Sequence, residues 1–150
     1  MQAHKTADMK YVESSNSRAE QALSVSQGAY YLITGAWPLV SMRTFESVTG
    51  RKRDRWLAKT VGMLVGVVGA ALILAARDRN LSEEAQLLGT GCAAGLAAID
   101  LIYVANGRIA PIYLLDAAAE IALVNLWTGV RVKRRRCLID RERLYRIRAE

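Results

Sequence analysis

Three carboxylates stand where carboxylates are rare. Asp116 and Glu120 lie four residues apart in Y-L-L-D-A-A-A-E-I-A-L-V-N-L-W, residues 113 to 127, a stretch otherwise apolar enough for a bilayer. That spacing is one helical turn, so both project from one face. The third acid, Asp100, is the single charge between Ala85 and Ala105. Asp100 lies eight residues before Arg108 and Asp116 eight after it. A hairpin turning near Arg108 therefore sets them level, roughly 12 Å from the turn at 1.5 Å per residue. Glu120 falls one turn deeper. A charge facing lipid at the bilayer centre costs about 2.5–3.5 kcal/mol on insertion scales. The three acids are thus expected to point inward together, paired, protonated or hydrated. They would form either a polar clasp that fixes helix register or a hydrated cavity for a cation, a proton or a polar ligand. Arg43, Lys59 and Arg108 belong to the same end of such a bundle and are the expected counter-charges. Tyr103 and Thr34 complete the candidate ligand-binding set.

Other chemistry is sparse. The chain has one histidine, His4, and two cysteines, Cys92 and Cys137, at different expected depths and with no C-x-x-C. This argues against a disulfide, a zinc site or a thiol oxidoreductase. No nucleophile–base pair, metal cluster or glycine-rich phosphate loop accompanies the acids. No catalytic residue, metal or cofactor is therefore expected. The formal net charge is +7 and the sequence pI about 9.8. The cations flank apolar segments, a distribution that membrane topology and anionic lipid explain better than nucleic acid.

The acids need elements to hold them. No charged residue occurs from Gln21 to Met42 or from Thr60 to Ala76, and from Ile109 to Val130 only the two acids do. A helix crosses the hydrocarbon core with about 20 mostly apolar residues. The chain reads as an all-α integral membrane four-helix bundle with spans at about 21–44, 56–76, 84–106 and 109–130. Residues 1–20 form a polar lead, disordered or loosely helical and unlike a cleavable signal peptide, and 131–150 a basic cytoplasmic helix. A soluble bundle helix keeps a polar face along its length, and residues 64–76 have none.

Local signals fit this division. Pro38 predicts a kink in the first span. Gln27, Tyr31, Thr34, Pro38 and Ser41 share a face expected to meet other helices. Thr49-Gly50 and Asn106-Gly107 read as turns, Asn80 as a helix stop, Ser82 as a helix start and Pro111 as the first turn of the fourth helix. Trp56 is an expected interfacial anchor. Gly62, Gly66 and Gly69 form a small-residue flank. With the small residues at 89–98, it predicts tight packing of spans two and three or of two protomers in a homo-oligomer. The tail's nine basic residues suit a stop-transfer flank or contact with anionic phospholipid.

Four spans put both termini on one side, with fourteen Lys and Arg against seven on the other. The positive-inside rule makes the termini cytoplasmic and leaves the strongly basic first loop outside.

The segments Y-Y-L-I-T-G-A-W-P-L and T-F-E-S-V-T-G-R-K-R-D-R-W-L-A-K-T-V-G, within residues 30 to 62, resemble a group of small bacterial four-span membrane proteins with no established activity. The resemblance implies a multi-pass protein of the bacterial inner membrane and carries over no catalytic residue. The plan is also similar to that of DoxX-like proteins, by architecture alone. Small multidrug exporters share the span count but place their key carboxylate in the first span, which here has no acid before Glu46. The expected role is a non-enzymatic scaffold or accessory protein. The alternative is a small proton- or cation-coupled carrier or lipid- or quinone-binding protein that uses the acidic cluster.

Overall fold

The computed structural model describes the backbone of residues 2–51, 54–78 and 81–149, and the side chains of residues 17–51, 54–78, 81–136 and 139. Asn80 lies outside the described residues. The described chain is all-helical, with no strand among its residues: α1 (Gln2–Val40), α2 (Met42–Thr49), α3 (Arg55–Ala75), α4 (Glu83–Ala105) and α5 (Tyr113–Ala149). Helix α1 includes the polar lead, and α5 runs without a break into the basic tail.

The ends of the elements follow from single residues. Helix α1 continues through Pro38 and stops at Val40, so a helix end follows closely on the proline expected to kink it. Ser41 turns extended, and its hydroxyl accepts the Thr44 N–H at 3.4 Å to cap α2. The corner is pinned by the Trp37 indole, which donates to Thr44 Oγ1 at 2.9 Å and meets the Phe45 ring edge-on. Gly50 ends α2 at φ +83° and Gly107 turns the α4–α5 hairpin at φ +63°, both in the left-handed region that favours glycine. The Ser82 hydroxyl accepts the Ala85 N–H at 3.2 Å and starts α4. Pro111 stands in the turn before α5 rather than inside it, its carbonyl accepting from Leu114 N at 3.0 Å.

Two helices, α3 and α4, are long and apolar enough to cross a membrane, with mean hydropathy 2.1 and 1.7 over their best windows. Only 17% and 22% of those windows is buried within the bundle, so neither is an enclosed core helix. Helices α1 and α5 miss the same mark because Gln21, Ser24 and Gln27, or Asp116, Glu120 and Asn125, interrupt their apolar stretches.

Helix α1 packs chiefly along α3, and α4 along α5; α3 meets α4 much less. The tight glycine contact thus joins the first and second expected spans, not the second and third. The reason is backbone approach: a Cβ on Gly28 would lie 2.6 Å from the Gly69 carbonyl oxygen, and one on Gly69 2.6 Å from that of Gly28. Gly35 and Gly62 oppose each other in the same way one level on. Gly62 and Gly69 are therefore occupied by α1 of the same chain, while a Cβ on Gly66 would meet open space. The apolar core is small: Leu23, Ala76, Leu81, Ala85 and Trp127.

Candidate functional site

The polar centre of the molecule lies between α1 and α5, with α4 behind it. Tyr30 and Tyr31 are consecutive, so their side chains leave α1 about 100° apart and reach two successive turns of α5. The Tyr31 hydroxyl donates to Glu120 Oε2 at 2.9 Å, and the Tyr30 hydroxyl donates to Asp116 Oδ1. One turn back on α1, Gln27 acts as a hub. Its Nε2 donates to the Tyr31 hydroxyl at 3.0 Å and to the Gly89 carbonyl at 2.8 Å, while its Oε1 accepts the Trp127 indole N–H at 2.7 Å. A Cβ on Gly89 would sit 2.9 Å from Gln27 Oε1 and 3.1 Å from the Trp127 ring. Glycine there lets α4 come close enough to supply its carbonyl.

The pattern extends down the bundle at heptad spacing. Seven residues before Gln27 is Glu20; seven after Trp127 is Arg134. These two form an ion pair at 3.7 Å, with Arg134 also donating to the Leu81 carbonyl at 3.3 Å. Burial pushes the Glu20 carboxyl above the usual carboxylate range, against the pull of the Arg134 guanidinium. The antiparallel helices α1 and α5 are thus held by rungs Glu20–Arg134, Gln27–Trp127, Tyr31–Glu120 and Tyr30–Asp116. Ser24, on the same stretch of α1, donates instead to the Leu72 carbonyl at 2.8 Å and ties α1 to α3.

The hairpin count placed Asp100 level with Asp116, and the structure brings Asp100 within hydrogen-bonding reach of the Asp116 carboxyl, with Glu120 beside them. Asp100 is 6% exposed, and its Oδ2 is shielded from solvent with no hydrogen-bond partner. Among the described residues the acids do not form a group able to hold a metal ion.

The expected counter-charges are elsewhere. Arg43, Lys59 and Arg108 are exposed, and none forms an ion pair with these acids among the described residues. Their long side chains can extend to water at the bundle end, which costs less than burial beside a carboxylate. Phenols take the place of cations. Tyr103 is half exposed, and the Thr34 hydroxyl donates to the Tyr30 carbonyl of its own helix at 2.8 Å, so neither is a rung. Gln27 and Tyr31 lie on the α1 face expected to meet other helices and are buried there; the site residues that sequence reasoning missed are Glu20, Tyr30, Trp127 and Arg134. A signal was present: Glu120, Trp127 and Arg134 repeat every seven residues, as do Glu20 and Gln27. Comparison with protein-family models, curated proteins and solved structures finds no match for the chain.

Proposed function

We propose that this chain is a multi-pass protein of the bacterial inner membrane, with α1, α3, α4 and α5 as four spans and both termini cytoplasmic. It serves as a non-enzymatic scaffold or accessory protein, of the four-span type that residues 30 to 62 resemble. The observation that carries the reading is an inverted distribution of polarity. Glu20, Ser24, Gln27, Gln86, Asp100 and Glu120 are buried, while Val40 is 85% and Leu115 70% exposed, with Ile33, Leu64 and Leu87 similarly open. Exposed apolar residues alone are ordinary. Combined with a polar interior, they match a lipid solvent, where polar groups must be satisfied from within. The rungs close on one another: Gln27 uses both its amide and its carbonyl inside the chain, which suits a clasp better than a ligand site. Alkaline extraction of membranes from expressing cells is the test. The chain should stay in the pellet; recovery as a soluble monomer without detergent would end the reading.

The unpartnered Asp100 Oδ2 favours a second reading, a carrier that takes a proton or cation at the Asp100–Asp116 pair. Asp116→Asn separates the two. A clasp loses thermal stability in detergent, whereas a carrier keeps its fold and loses pH-dependent transport in proteoliposomes.

A further inference from the structure

The ladder leaves one charged feature unused. A cleft of about 390 Å³ opens between the start of α4 and the Arg131–Arg135 turn of α5, lined by Glu83, Glu84, Gln86, Arg131, Arg134 and Arg135. The three arginines lie on one face of α5 at i, i+3 and i+4. They are not equivalent. Arg134 is held by Glu20 and the Leu81 carbonyl. Arg131 is oriented by its Nε, which donates to Oε1 of the buried Gln86 at 3.3 Å. That bond leaves the outer N–H groups of the Arg131 guanidinium for another acceptor. Arg135 is exposed. The opposite wall is acidic, but Glu84 is already engaged by the Ser82 hydroxyl and its own backbone N–H. Glu83, exposed on the first turn of α4, is the acid that remains.

We propose that this cleft binds the headgroup of a zwitterionic phospholipid, its phosphodiester on Arg131 and Arg135 and its primary ammonium on Glu83. Guanidinium forks match phosphate oxygens two at a time. A wall with both signs of charge fits a ligand with both signs better than it fits a bare anion. The lipid source follows from the cleft's rim. Leu87 lines it and is 65% exposed, one turn along α4 from Glu83. It offers an acyl chain an apolar path toward the hydrocarbon core. The inference rests on the membrane reading above, which alkaline extraction tests separately.

Native mass spectrometry of the purified 150-residue chain in detergent, with dioleoyl phosphatidylethanolamine, phosphatidylcholine and phosphatidylglycerol added at equal concentration, provides the test. One phosphatidylethanolamine should be retained in preference to the other two, because choline has no N–H to donate and glycerol no charge for Glu83. Arg131→Gln and Arg135→Gln should each weaken retention about tenfold, the loss expected for one charge-assisted hydrogen bond. Arg135 supports no described contact in the bundle, so its replacement keeps the test valid should Arg131→Gln misfold. Glu83→Gln should erase the preference for phosphatidylethanolamine over phosphatidylcholine while leaving phosphatidylcholine retention unchanged. Glycerophosphoethanolamine, the headgroup without chains, should not compete at matched concentration. Equal retention of the three lipids, retention unaffected by Arg135→Gln in folded protein, or full competition by the chain-free headgroup would overturn the proposal.

Discussion

Replacing Tyr31 by Phe removes one oxygen atom from the centre of the ladder and leaves the ring in place. No cavity forms, so the change reads hydrogen bonding alone. Two contacts disappear: the donation to Glu120 Oε2 and the acceptance from Gln27 Nε2. Tyr31 and Glu120 are each 1% exposed, so water cannot replace the lost donor. Hydrogen bonds between membrane helices average about 0.6 kcal/mol by double-mutant cycles, which would put two of them near 1 kcal/mol. A buried acceptor left without its donor costs more, about 1–3 kcal/mol. Stranding the Glu120 oxygen should therefore dominate, and a loss of about 2 kcal/mol is expected. For a chain of this size that corresponds to a fall in Tm of about 4–8 °C, measured by thermal unfolding in detergent. Tyr30→Phe is the internal comparison. Tyr30 and Asp116 are half-buried, solvent can reach them, and the loss should stay below about 1 kcal/mol. The double variant Tyr31→Phe/Glu120→Gln should be less destabilised than the sum of its parts, since each change removes the same pairing. Equal effects of Tyr30→Phe and Tyr31→Phe, or strict additivity in the double variant, would refute the ladder as the element that holds α5 to α1.

Gly69→Val should separate α1 from α3, because the new side chain meets the Gly28 carbonyl and the Leu32 N–H, backbone that cannot rotate away; overpacking of this kind costs at least about 1–3 kcal/mol, whereas Gly95→Ala, with open space at its Cβ, should be neutral or stabilising in the same thermal scan. Glu20 keeps its proton to higher pH in the folded chain than in the unfolded one, so its contribution is full below the unfolded pKa near ~4.3 and is lost as pH rises through the folded value. Glu20→Gln should flatten that fall, and an unchanged slope of Tm against pH would contradict the assignment. A cysteine introduced at Gly50, in a background lacking Cys92 and Cys137, should react with an impermeant maleimide from outside the cell; labelling only from the cytoplasmic side would invert the topology.

The acids were legible because counting from a turn fixes depth. Asp100 and Asp116 flank Arg108 symmetrically, and any antiparallel hairpin turning there sets them side by side. What answers them was not. Cations at the same end of the bundle looked like partners on charge alone, but Arg43, Lys59 and Arg108 are exposed and form no ion pair with these acids among the described residues. Tyr31 stands on the face expected to meet other helices, but its partner, and the role of Tyr30 beside it, are set only by where α5 lies. The Gly62–Gly66–Gly69 flank announced a close contact, but the expected partner, the third span or a second protomer, is replaced by α1 of the same chain. A small residue reports an approaching backbone, and only tertiary structure supplied Gly28 and Gly35 as the ones that approach. The turns at Gly50 and Gly107 and the cap at Ser82 were readable because each is decided within four residues.

The register of α1 against α5 also bears on the proposed four-span topology. Helices α3 and α4 reach a high mean hydropathy because few of their positions serve the polar interior. Helices α1 and α5 carry the rungs, and a helix that must present Ser24, Gln27 and Tyr31, or Asp116 and Glu120, cannot also be apolar all round. In the proposed topology, averaging over such a helix mixes an inward polar face with an outward apolar one. Their outward positions, Ile33 and Val40 on α1 and Leu115 and Ile121 on α5, are apolar and exposed, as the proposed lipid contact requires. In that topology, satisfying the inward groups within the chain removes most of the cost of placing them at membrane depth, as each rung from Gln27 to Glu120 does. Asp100 is the exception, with one oxygen unanswered. It is therefore the position where replacement by an isosteric amide should help rather than harm a pure clasp: Asp100→Asn supplies an N–H to the Asp116 carboxyl. A rise in Tm would place the acids in structure, and a loss of pH-dependent transport with Tm unchanged would place them in function.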